Sequence, residues 1–69
     1  MWTLSLKNSL TNISFKTQYP NYKLANKDFL NNLKHCRNNN DLIVFINDNE
    51  FKSYRKGKLC VTCKINDST

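Results

Sequence analysis

Between Pro20 and the run Asn38-Asn39-Asn40, apolar side chains recur at Tyr22, Ala25, Phe29, Leu33 and Cys36, three or four residues apart, with Leu30 beside them. That spacing stacks them along one stripe of an α-helix. Asn26 is the expected N-cap, with Asp28 in the first turn where the helix dipole favours an acid, and Lys34 and Arg37 near the end where it favours a base; a start at Asn21 is the alternative. A helix with one apolar stripe must bury it against another layer. The rest of the chain supplies that layer.

On both sides of the helix the period changes to two. Trp2, Leu4 and Leu6 face one way and Thr3, Ser5 and Lys7 the other; after the turn formers Asn8 to Asn12, Ile13, Phe15 and Thr17 alternate again with Ser14, Lys16 and Gln18. These predict a hairpin, which Pro20 ends. Leu42-Ile43-Val44-Phe45-Ile46 is the most apolar run and predicts a central strand buried on both faces. Residues 51–54 and 58–65 predict a second hairpin, closed by Arg55-Lys56-Gly57, where the single glycine takes a positive φ. The expected fold is α+β: a small antiparallel sheet, elements in the order β-β-α-β-β-β, with the amphipathic helix on one face. Residues 1–69 form a single domain, and strand order does not follow from the sequence.

A chain of 69 residues buries only about 60% of its unfolded surface, so partners or a staple would help it. It has little room for an enclosed cleft, and no nucleophile, base and orienting acid assemble around His35; no catalysis is expected. The N-terminal stretch lacks a secretory pattern, and no segment approaches the roughly 20 apolar residues of a membrane span. With three cysteines, an odd number, an intracellular, reducing setting is expected, cytoplasm or organelle matrix, or a host cell for a viral protein.

The segment FKSYRKGKLCVTCK concentrates the candidate chemistry. Its CxxC, with His35 and Cys36, makes a set of one histidine and three cysteines that tetrahedral zinc accepts. Val61 and Thr62 between the cysteines are strand formers, however, so Cys60 and Cys63 are expected on opposite faces, with Cys63 in the core and Cys60 pointing away beside Thr62. No metal or other cofactor is therefore expected. A redox pair would need a following helix N-terminus, and nothing after Cys63 provides one.

Net charge is +6, which draws a chain to polyanions, although an A/T-rich genome yields the same excess of Lys with Asn, Ile, Phe and Tyr. Lys52, Arg55, Lys56 and Lys58 surround the second hairpin's tip, with Phe51 and Tyr54 available to stack on unpaired bases; Lys34 and Arg37, with Lys23 and Lys27, add a strip on the helix, and Lys7 and Lys16 extend from the first hairpin. The expected function is non-catalytic binding to RNA or within a ribonucleoprotein, such as a divergent or organellar ribosome. The nucleic-acid contacts expected are Lys52, Tyr54, Arg55, Lys56, Lys58, Lys34 and Arg37. Two further readings are a small viral or mobile-element inhibitor that binds a host protein through a sheet edge or its basic face, and an accessory subunit whose charge balances acidic neighbours.

Overall fold

A computed structural model describes residues 1–67. The expected element order is observed: β1 (Trp2–Asn8), β2 (Ile13–Tyr19), α1 (Tyr22–Asn38), β3 (Leu42–Asn47), β4 (Glu50–Arg55) and β5 (Lys58–Asp67). All pairings are antiparallel, in the spatial order β2-β1-β5-β4-β3. The last strand of the chain thus lies in the middle, joining an N-terminal hairpin to a C-terminal one.

The helix covers one face. Leu4, Ala25, Phe29, Leu33, Cys36, Phe51, Cys63 and Ile65 form the core, flanked by Trp2, Leu6, Tyr19, Tyr22, Ile43 and Val61. Phe29 meets Phe51 edge-on at 5.2 Å between ring centroids, and Trp2 meets Tyr22 at 5.0 Å, the arrangement that the quadrupoles of two rings favour. Two polar ties fix the helix over the sheet: the Tyr19 hydroxyl donates to Asp28, and the Tyr22 hydroxyl donates to Asn49 Oδ1 at 2.5 Å.

The helix begins one turn earlier than Asn26 suggests. Asn21 is the N-cap, extended at φ −146°, and its Oδ1 accepts from the Leu24 N–H at 3.0 Å. Asn26 lies inside the helix and no acid occupies the first turn, because a helix that starts at Tyr22 puts Asp28 in its second turn, where it accepts from Tyr19. At the other end the Cys36 carbonyl accepts from the Asn39 and Asp41 N–H groups, and Asn40 takes φ 61° to turn the chain. Leu30 is exposed rather than on the buried stripe.

The expected central strand is an edge strand. Among the described residues β3 pairs only with β4, and Leu42, Val44, Phe45 and Ile46 are all exposed. The middle position belongs to β5, whose Cys63 and Ile65 lie under the helix. One helix cannot span five strands at about 4.8 Å each, so the outer strands stay open on its side as well. Ile13 and Phe15 of the opposite edge, β2, are exposed for the same reason.

The expected side for Cys60 is also corrected. β4 pairs Ser53 with Val61 and then Tyr54 with Leu59, which leaves Cys60 as the extra residue of a β-bulge. The bulge interrupts the period-two alternation, and Cys60 is buried instead of standing out beside Thr62. The β4–β5 turn matches expectation: Lys56 (φ 52°) and Gly57 (φ 78°) are both left-handed between the paired residues Arg55 and Lys58, as a two-residue hairpin requires.

Candidate nucleic-acid interface

The face of the sheet away from the helix is uncovered by any element among the described residues. Residues paired directly across antiparallel strands share a face, so the register defines its rows. One row runs Lys16, Ser5, Lys64, Glu50 across β2, β1, β5 and β4; the next runs Ser14, Lys7, Thr62, Lys52 across the same strands. Each of these strands contributes one lysine, in alternating rows. The result is a zigzag, Lys16–Lys7–Lys64–Lys52, whose diagonal steps are about 7–8 Å between backbone positions. Small hydroxyl side chains fill the gaps, and Glu50, beside Lys64, is the acid in these rows.

At one corner of this face lies a shallow hollow of about 450 Å³ lined by Asn40, Leu42, Val44, Tyr54, Lys56 and Gly57. Tyr54 pairs with Leu42 across the ladder, so an aromatic ring and two aliphatic side chains stand beside a cationic one. A planar, anionic group fits that chemistry. The hollow opens on the face that no element covers among the described residues.

The residues expected to bind nucleic acid are not one patch. Lys52 and Tyr54 are on the open face, half-buried, Lys56 is in the adjoining turn, and Lys58 is the paired residue that follows it. Arg55 is diverted: its Nε donates to Asp41 Oδ1 at 2.9 Å, and that hydrogen bond, with the carboxylate's charge, raises the guanidinium pKa above its ordinary value. Lys34 and Arg37 are exposed on the helix, in the layer on the other side of the sheet, and do not share a surface with Lys52. Phe51 is fully buried against Phe29 and offers no stacking face. Lys64 is the contributor that a reading along the chain overlooks, because its neighbours Lys7 and Lys52 come from strands far apart in sequence.

The cysteines lie close to the opposite layer. Burial pushes the Cys63 thiol up to about 12, and burial also raises Cys36, against a smaller lowering by the Ser53 hydroxyl. Cys36, Cys60, His35, Asp41 and Arg55 border a pocket of about 250 Å³ at the C-terminal end of the helix. Among the described residues no three His, Cys, Asp or Glu side chains are placed to hold a metal ion. His35 is exposed while Cys63 is sealed in the core, so the histidine and the three cysteines do not stand together. No helix is long and apolar enough to cross a membrane among the described residues.

Compared with protein-family models, curated proteins and solved structures, the chain matches none.

Proposed function

We propose that this chain is a small non-catalytic RNA-binding protein, acting alone or as a subunit of a ribonucleoprotein, and that it holds single-stranded backbone across the open face of its sheet. The zigzag of Lys16, Lys7, Lys64 and Lys52 carries this reading. Phosphates placed along it meet a cation at each strand, while serine and threonine hydroxyls between the lysines supply donors to the same oxygens. Tyr54 at the end of the track provides a stacking surface for one base, with Lys56 and Lys58 at its rim. Nothing in this arrangement reads base edges, so the binding is tolerant of sequence.

Fluorescence anisotropy with a mixed-sequence single-stranded RNA tests it. Four phosphate contacts give a salt slope of about −2.8, so raising salt from about 50 to 200 mM weakens binding about 50-fold. The variant with Lys7, Lys16, Lys52 and Lys64 all changed to Ala loses both affinity and slope, whereas Lys34→Ala with Arg37→Ala keeps them. Salt-insensitive binding, or a larger loss from the helix pair than from the sheet set, overturns the reading. Capture of a single stoichiometric protein partner from the source cells, with no RNA, would support instead an inhibitor that lays the same lysines on an acidic protein surface.

A further inference from the structure

β3 is an unusual edge. Natural edge strands are protected by lysines, prolines or short length, and the opposite edge, β2, carries Lys16. β3, Leu-Ile-Val-Phe-Ile-Asn, has no charged residue and no proline. Among the described residues no strand neighbours its outer backbone groups. Leu42 is 67% exposed, Phe45 51% and Ile46 52%, with Val44 at 39%. Apolar side chains therefore reach solvent on both faces of the strand at once: Val44 and Leu42 on the lysine side, Phe45 on the helix side.

The apolar run is symmetric about its middle. If two antiparallel strands cross at Val44, Val44 meets its own counterpart, Ile43 meets Phe45, and Leu42 meets Ile46, so every residue of the run finds an apolar partner. The meetings of Val44 with Val44 and of Ile43 with Phe45 also join side chains of like facing, since antiparallel partners share a face. Charge points the same way. A chain of net charge +6 repels its copies, and β3 is the one strand of the sheet without a charged side chain, so it is where two copies approach at least electrostatic cost.

We infer that β3 is a self-association edge: two copies pair antiparallel through it, about a twofold axis at Val44, and their sheets merge into one. The axis stands perpendicular to the sheet, so both lysine faces lie on the same side and both helices on the other. Isologous pairing of this kind closes after two copies and leaves no growing end at β3. The bulge at Ile46, where the register with β4 shifts, limits the ladder to a few residues on either side of Val44. This inference does not depend on RNA binding.

Sedimentation equilibrium of the full chain in the micromolar range tests it, together with two kinds of variant. The wild-type chain is expected to be a dimer, and Val44→Lys, which sets two like charges directly opposite at the axis, to weaken association by roughly tenfold or more with an unchanged circular dichroism spectrum. Val44→Cys is expected to form a disulfide-linked dimer under mild oxidation. Leu42→Cys is not, because its own counterpart lies about four residues along the ladder, roughly 13 Å away. A monomer at every concentration overturns the inference and leaves the edge to a different protein. A dimer that survives Val44→Lys but is lost with Phe15→Lys moves the interface to β2 and overturns it too. Equal cross-linking from positions 42 and 44 overturns the register.

Discussion

Arg55 Nε donates to Asp41 Oδ1 at 2.9 Å, and the two side chains are unequally exposed: 44% for Arg55 and 1% for Asp41. The pair ties the β4–β5 hairpin to the chain leaving the helix. Among the described residues Asp41 Oδ2 has no hydrogen-bond partner, so the carboxylate depends on this one charged donor. Removing Arg55 strands a buried charge, whereas removing the charge of Asp41 frees an arginine that water can solvate. Arg55→Ala is therefore expected to lower the denaturation midpoint more than Asp41→Asn does. Adding Asp41→Asn to Arg55→Ala is expected to restore part of the loss, as read from urea denaturation of the three variants; a double variant less stable than Arg55→Ala would contradict this.

Tyr19 titrates far above its ordinary range. Its hydroxyl donates to Asp28, and that hydrogen bond, with smaller effects of burial and of the Asp28 charge, raises its pKa to about 12. The folded state keeps the phenolic proton more tightly than the unfolded chain, whose tyrosine titrates near 10. The stabilisation is thus fully present below about pH 10 and is lost as pH rises toward 12. Urea midpoints at about pH 9 and 11.5 are expected to differ less in Tyr19→Phe than in the wild type, the thiols contributing equally to both.

The thiols should be inert while the chain is folded. At pH 8 a thiol with a pKa of about 12, as for Cys63, has on the order of a thousandfold less thiolate than one near the ordinary 8.5, and its side chain is out of contact with solvent. Iodoacetamide is expected to modify Cys63 only as fast as the protein unfolds, and denaturant to release all three thiols at once. Rapid modification of Cys63 in the native protein, located by peptide mass analysis, would show that the core is open there.

Phe51 and Phe45 are paired across β3 and β4 and separate the core from the edge. Phe51 is fully buried and touches Phe29; Phe45 is half exposed, with its ring 6.5 Å from that of Phe51. Phe51→Ala is expected to cost about 3–5 kcal/mol, comparable to the whole stability of a domain this small, and so to leave the chain largely unfolded by circular dichroism. Phe45→Ser is expected to leave the monomer folded. An equal effect of the two would mean that β3 is packed more deeply than an edge.

Local chemistry made much of this fold legible. The spacing of Ala25, Phe29, Leu33 and Cys36 identifies the buried helix stripe, since side chains one turn apart must share a neighbour. The alternation of Trp2, Leu4 and Leu6 identifies the core face of β1, and Gly57 the tight turn. Asn21 and Asn26 are both capable caps, and it is Asn21 that stands extended and accepts from the Leu24 N–H. Cys60 departs from the alternation of its strand because a bulge is a property of two strands in register. No single-strand pattern contains it.

The lysine face had the same kind of origin. Lys7, Lys16, Lys52 and Lys64 are each an ordinary polar position in an ordinary strand. Only the insertion of β5 between β1 and β4 sets them on one diagonal, and only the coverage of the other face by α1 leaves that diagonal open. The Leu42–Ile46 run shows the limit most directly. By itself the sequence determined that these five residues form a strand, that Tyr22 to Cys36 form an amphipathic helix, and that the two belong to an α+β layer, because backbone sterics and side-chain periodicity are settled within a few residues. The tertiary structure alone decided that the most apolar strand stands at the edge and a mixed one at the centre. Strand order is set by pairings between strands far apart in sequence, and a single short helix covers the middle of the sheet but not its rim.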